Sequence, residues 1–324
     1  MKAISILDDD ARTLCWQETR TPTPGQGEVL VRVRASAVNR ADLLQRIGHY
    51  PIPAGASEIL GLEAAGEIAQ LGPGVSGWRV GDRVCCLLAG GGYAENVVTP
   101  ASLLLALPDS MSYTDAAAIP EVFYTAFLNI FLEAEQKPGE WVLVHAGASG
   151  VGTAAIQLCR AFQSPVIATA SASKLGHLRD MGVVEAIDRE HDDFGARVAR
   201  LTEKRGVDII LDPVGGAYFE RNLHCLATGG RLVNIGLLGG TDAPLSLGRL
   251  LMKRLRVIGS LLRSRSLQEK EAITVEFRQR VWPMFEAGAL KPVIHQVLPI
   301  DQAQQAHAML QANATIGKVV LHIP

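Results

Sequence analysis

Residues 141–152 read Trp141-Val142-Leu143-Val144-His145-Ala146-Gly147-Ala148-Ser149-Gly150-Val151-Gly152, and a helix-forming stretch follows over 153–162. An apolar run enters a glycine turn and leaves it straight into a helix. A dinucleotide needs this arrangement. Glycines permit the tight turn, backbone N–H groups can approach a pyrophosphate, and the helix N-terminus favours its charge. Gly147 and Gly152 hold the first and last positions of a G-x-G-x-x-G turn; Ser149 replaces the middle glycine, and Gly150 and Val151 complete it. A glycine triplet alone also serves a purely structural turn. The strand before it and the helix after it favour the nucleotide.

Moving outward, five further apolar runs follow at residues 165–169, 183–187, 207–211, 230–235 and 255–259, separated by helical stretches. With 141–145 they make six strands, each apolar at its centre, as strands buried on both faces must be. The alternation implies an α/β fold with a doubly wound, parallel six-stranded Rossmann sheet. A helix-period segment over 121–135 precedes it. Residues 1–120 read differently, with β patterns at 2–7, 28–33, 63–71 and 82–88, a short helix at 40–47, and Gly/Pro turns between them. The tail suggests a helix at 267–286, a strand at 293–298, a helix at 300–311 and a strand at 318–323. It is expected to return to the β-rich part, so that one domain is inserted in the other.

The second strand's end selects the nucleotide. A site for NAD places Asp or Glu there, to bond the ribose 2′-hydroxyl. Residues 168–174 read Ala168-Thr169-Ala170-Ser171-Ala172-Ser173-Lys174, with no carboxylate. A hydroxyl and an ammonium suit a 2′-phosphate. Ser171, Lys174 and Arg189 are therefore the expected contacts, and NADPH the expected cofactor.

At 324 residues, with 48% hydrophobic and 20% charged residues, the chain has the composition of a two-domain globular protein. A formal net charge of -2 argues against a polyanion-binding surface, so nucleic acid is not an expected partner. Asp8, Asp9 and Asp10 sit where a signal peptide's apolar core would run, and nothing approaches the ~20 apolar residues that span a bilayer. Five cysteines without C-x-x-C pairing suit reduced thiols and a cytoplasmic location, with Cys85 and Cys86 in a core strand. Structural zinc needs four clustered cysteines. Near Asn39 and Glu63 there is neither Cys nor His, and His49 stands alone. No metal is expected, which favours a hydride acceptor that is already electrophilic.

Together these stretches resemble the medium-chain dehydrogenase/reductase superfamily, and within it the zinc-free quinone oxidoreductases of the zeta-crystallin-like branch. The resemblance rests on Asn39-Arg40-Ala41-Asp42, Gly61-Leu62-Glu63, Gly81-Asp82-Arg83, the turn at 145–152, Leu211-Asp212-Pro213-Val214-Gly215-Gly216 and Gly317-Lys318-Val319-Val320. Residues 260–265, Ser260-Leu261-Leu262-Arg263-Ser264-Arg265, are similar to the stress-inducible subgroup. The resemblance implies a GroES-like catalytic domain at 1–122 and 267–324, a Rossmann domain at 123–266, a homodimer, and a cofactor cleft at the domain junction. It implies that Thr125 faces the nicotinamide, that Gly236 and Leu237 meet its carboxamide, and that Ser260 and Lys318 line the cofactor's site. Relatives often carry tyrosine where Arg189 stands.

The resemblance also brings Tyr50 over the nicotinamide ribose. As a phenol it could donate to an oxygen gaining charge, or simply pack as a loop tyrosine. Asn39 reads as a helix N-cap, with or without a donor role toward the same oxygen. Asp212 reads as a turn anchor or a base, and Arg263 and Arg265 as a solvated pair or as holders of an anionic group. Quinone reduction is the leading functional expectation. Reduction of 2-enoyl thioesters or alkenals, and a non-enzymatic NADPH-binding role, are the alternatives.

Overall fold

The computed structural model describes residues 1–324. It divides into two compact units, Met1–Tyr124 with Leu262–Pro324, and Thr125–Leu261.

In the second unit the strands Val142–Val144, Val166–Ala170, Glu185–Asp188, Val207–Asp212, Leu226–Asn234 and Arg256–Gly259 form one sheet. Every pairing in it is parallel. In space the order is third, second, first, fourth, fifth, sixth. The order reverses between the first and fourth strands, where open α/β sheets receive ligands at the strands' carboxyl ends. The first, second and fourth strands are buried at every residue, which accounts for their Val, Ile, Leu and Ala content. Leu143, Ile167, Ile187, Ile210 and Leu232 form the unit's core with Phe194 and Val198.

Two expectations need correction in this unit. The sixth strand is not buried on both faces: Arg256, Val257 and Gly259 are exposed. It is an edge strand with one neighbour only, so nothing covers its outer side. The helix expected over 121–135 is two pieces, α-helical over Pro120–Phe127 and π-helical over Leu128–Glu133. Asn129 donates its side-chain N–H to Thr125 O at 2.8 Å, occupying a carbonyl that the ordinary ladder would use, and the wider turn follows.

The first unit is built on a seven-stranded sheet. Its long strand Glu28–Val38 runs antiparallel to Glu63–Leu71 on one side and to Lys318–His322 on the other. The tail does return to the β-rich part. At Gly66 an added Cβ would lie 2.0 Å from Arg32 O, so only glycine lets the two strands approach there. Residues 267–286 form two helices, Leu267–Arg280 and Trp282–Glu286, rather than one. Pro283 lacks the N–H needed to continue the first. No helix in the chain is long and apolar enough to cross a membrane.

Candidate active site

The nucleotide turn of the second unit is shaped by close packing. Ser149 caps the helix Gly150–Ala161, its Oγ accepting from Gly152 N at 3.0 Å. Gly147 N donates to Thr169 O at 2.8 Å, tying the turn to the second strand. A Cβ on Gly147 would meet the Ala168 side chain at 2.8 Å, and one on Gly152 would meet Ala146 O at 2.4 Å. Both glycines are thus required by geometry. They set the first N–H groups of a 12-residue helix in a turn whose glycines carry no side chain. A pyrophosphate fits this cradle.

Beside the turn lies a buried network without an ion pair. His145 meets Thr169 Oγ1 at 3.1 Å through Nδ1 and Asn222 Oδ1 at 2.8 Å through Nε2. Asn222 donates to Asp212 Oδ2 at 3.0 Å, and Asp212 also accepts from the N–H groups of Val214 and Gly215. Burial lowers the His145 pKa to about 4, so the ring is neutral, and burial raises Asp212 to about 6 against those three hydrogen bonds. Asp212 anchors its turn, as one of its two sequence readings holds. At the carboxyl ends of the fifth and sixth strands, Asn234 Oδ1 and Ser260 Oγ are buried without a hydrogen-bond partner. Ser260 N donates to Asn234 O at 3.1 Å, which holds the two side by side. Gly236 follows directly, its Cβ position 2.9 Å from Pro213 O, and the Leu237 side chain is exposed. Orphaned polar atoms at this edge suit a ligand amide.

Ser171 precedes the turn Ala172–Lys174 at the end of the second strand, and no carboxylate side chain lies between residues 168 and 174. Arg189 N donates to Ala170 O at 2.9 Å, which brings its backbone to the same strand end. Its guanidinium pairs with Glu190 at 3.2 Å, so a phosphate would compete with a carboxylate for it.

The first unit holds a cluster of a different kind. Lys318 and Glu63 form an ion pair at 2.8 Å, their side chains only 3% and 0% exposed. Lys318 Nζ donates to Glu63 Oε1, Val38 O and Asn39 Oδ1. Asn39 Nδ2 donates to Glu63 Oε1 at 2.8 Å and to Ala37 O at 3.3 Å, while Glu63 Oε2 accepts the Glu121 N–H at 2.8 Å. Two expectations change here. The Asn39 amide hydrogens are both committed, so it has none for a substrate oxygen. All three Lys318 donors are likewise spent inside the protein, so it has none for a cofactor. Both residues position Glu63. A divalent cation does not fit, since the Glu63 carboxylate already faces an ammonium and no three His, Cys, Asp or Glu side chains converge in the chain.

Beside this pair stand Asp42, Tyr50 and Arg263, and also Glu121, which no motif singled out. Burial lifts the Glu121 carboxyl, helped by Glu63 and opposed by Lys318, to about 8. Burial also lifts Asp42 to about 6, although it accepts from the N–H groups of Asn39 and Gly61. Tyr50 is partly exposed, its hydroxyl makes no hydrogen bond, and burial followed by Glu121 pushes it to about 12. Arg263 lies across its ring, 5.1 Å from the centroid. Of the two readings of Arg263 and Arg265, the solvated pair fails for Arg263, which is 5% exposed. The run at 260–265 is the only sequence signal for it. Cys85 and Cys86 are core residues, at 0% and 1% exposure.

Comparison with known proteins bears on the whole chain. Residues 150–277 match the family model described as zinc-binding dehydrogenase, and 25–109 that of the alcohol dehydrogenase GroES-like domain. The synaptic vesicle membrane protein VAT-1 homolog of Rattus norvegicus is 34% identical over 323 residues, covering 93% of this chain and 78% of the relative. A quinone oxidoreductase-like protein 2 homolog of Nematostella vectensis is 30% identical, covering 93% and 83%. Among solved structures, a mycobacterial protein complexed with NADPH superimposes with a TM-score of 0.89 at 30% identity, covering 99% of this chain and 100% of that one. The CurK enoyl reductase does so at 0.88 and 29%, covering 100% and 99%. The chain belongs to the medium-chain dehydrogenase/reductase family and is an NAD(P)-dependent oxidoreductase with a GroES-like and a Rossmann part.

Proposed function

We propose that this oxidoreductase is an NADPH-dependent quinone reductase of the zeta-crystallin-like branch, passing hydride directly to a quinone without a metal. The observation that carries the reading is the cluster of Lys318, Asn39 and Glu63, an ion pair closed on itself where a Lewis acid would otherwise lower the cost of an alkoxide. An acceptor that is already electrophilic avoids that cost.

When bound, the reduced nicotinamide would supply the hydride. The turn at Gly147, Ser149, Gly150, Val151 and Gly152 would hold the pyrophosphate through backbone N–H groups. Ser171 and Lys174 would take the 2′-phosphate, with Arg189 in competition with Glu190. The orphaned atoms of Asn234 and Ser260, with the backbone of Gly236 and Leu237, would take the carboxamide, and Thr125 would hold the ring's orientation. Tyr50, with a hydroxyl free of partners, would donate to the acceptor's oxygen. Correct alignment of hydride and acceptor contributes most of the rate in such a reaction.

The test is turnover and affinity together. NADPH should bind more tightly than NADH, and Lys174→Ala should weaken NADPH by about ten- to a hundredfold while leaving NADH nearly unchanged. Equal losses for both would place Lys174 in the fold rather than at the phosphate. Tyr50→Phe should slow quinone reduction only about tenfold. A second reading, reduction of an activated enone, is favoured by Glu121, whose raised pKa keeps a proton available at neutral pH. Fast enone turnover beside poor quinone turnover would select it.

A further inference from the structure

We propose that the Arg263 guanidinium is the binding point for the acceptor's oxygen, its Nη1–H donating to the atom on which negative charge gathers. This deepens the reading above and rests on it for the identity of the acceptor.

The geometry is that of a donor held ready. Arg263 Nε donates to Ala89 O at 2.9 Å and Nη2 to Gln45 Oε1 at 2.7 Å. Lys270 fixes the backbone beneath by donating to Arg263 O at 2.6 Å. The Tyr50 ring covers the guanidinium face at 5.1 Å. Helix Arg40–Arg46, the loop after strand Arg83–Leu87, the Tyr50 loop and helix Leu267–Arg280 thus all converge on one side chain. One nitrogen is left over. Nη1 is buried and has no hydrogen-bond partner, on a residue that is 5% exposed. Leaving a charged donor dry and unpaired is costly, so such a group is expected to meet a ligand.

The nearby Asp42 carboxylate does not serve it. Asp42 directs its oxygens to Asn39 N, Gly61 N and the Tyr93 hydroxyl. The open position also selects its ligand. A phosphate or carboxylate prefers the two-pronged fork of an arginine. Here one prong is already bound to Gln45, and a single nitrogen remains. It suits one oxygen, as a carbonyl presents before hydride arrives and a phenolate or enolate presents afterwards. The partly exposed Tyr50 hydroxyl, adjacent and unpartnered, can share that oxygen. A donor fixed by three contacts needs no reorganisation as charge develops, which is the condition under which such a bond lowers a barrier.

The test uses 4-nitrophenolate, a coloured mimic of the hydroquinone anion, with the full chain and no cofactor. Binding should lower the apparent pKa of the nitrophenol, and ¹⁵N spectra of the guanidinium groups should show one buried resonance that moves on addition. Arg263→Lys keeps the charge but cannot reach Ala89, Gln45 and the ligand together. It should weaken the phenolate by about ten- to a hundredfold and lower kcat/KM for a quinone similarly. The spectra of the unaltered protein keep the test valid should that variant fold poorly. No guanidinium response in a protein that turns over quinone would overturn the proposal and leave the functional reading intact. Phenolate binding lost in Arg263→Lys, in a protein that reduces neither quinone nor enone, would uphold the subsite and remove the reading.

Discussion

Each unit buries a polar network, and the two are built on opposite plans. In the Rossmann unit, the neutral His145, Thr169 and Asn222 lead by hydrogen bonds to Asp212, whose carboxylate is met by backbone N–H donors rather than by a cation. In the GroES-like unit, Lys318 and Glu63 carry full charges at 3% and 0% exposure, with Glu121, Asp42 and Arg263 close by. The first network is a brace that fixes the two turns it joins. The charged one sets a field, and its neighbours are side chains with protons or donors to spare. A satisfied network stabilises, and the proposed chemistry falls to groups whose bonding is incomplete, such as Arg263 Nη1.

The comparison breaks most visibly at Lys318. Replacing it with Met leaves Glu63 charged in a dry site, and breaking a buried pair on one side costs about 3–5 kcal/mol. Urea denaturation should show that loss, and adding Glu63→Gln should recover part of it. Failure to recover would mean that Lys318 acts through packing alone. In the Rossmann network, His145→Phe should cost less, about 1–3 kcal/mol, because Asn222 and Thr169 lose hydrogen bonds but no charge loses its partner. It should also weaken the dinucleotide, since His145 leads directly into the glycine turn. A loss as large as that of Lys318→Met would erase the distinction drawn here.

The smallest effect per pH unit sharpens the contrast through titration. Glu121 titrates at about 8 in the fold against an ordinary 4.5, so between those values the folded state binds the extra proton. Stability from this group is complete below 4.5 and lost as pH rises through 8. Asp42 and Asp212 act alike between 3.8 and about 6. His145 and His307 run the other way, held neutral down to about 4 and about 3, so their contribution is lost as pH falls below 6.5. Glu121→Gln should flatten the fall in stability between pH 4.5 and about 8 by at most about 1.4 kcal/mol per pH unit. An unchanged slope in that window would show that Glu121 titrates normally.

Much of the Rossmann unit was legible because buried parallel strands must be apolar throughout and because the glycine turn has a fixed spacing. Edges were harder. Leu226–Asn234 begins before the run expected at 230–235, and the sixth strand's apolar centre hid its exposure. The charged cluster was legible only in pieces. Asn39-Arg40-Ala41-Asp42 and Gly61-Leu62-Glu63 stood out as motifs, yet nothing in their spacing showed that Lys318, 255 residues beyond Glu63, would close on them and consume the Asn39 amide. Glu121 and Arg263 matter through burial and orphaned bonds, which a sequence does not display.

The insertion has a consequence for the order of assembly. The strand Lys318–His322 supplies both an internal neighbour for Glu28–Val38 and the only ammonium bonded to Glu63. On the ribosome, residues 125–261 are all made before that strand exists. The nucleotide-binding unit, contiguous in the chain, can therefore be folding while the other still has an open sheet edge and an uncompensated carboxylate. The GroES-like unit is completed last, so a nascent chain can build its dinucleotide fold before the partner sheet closes.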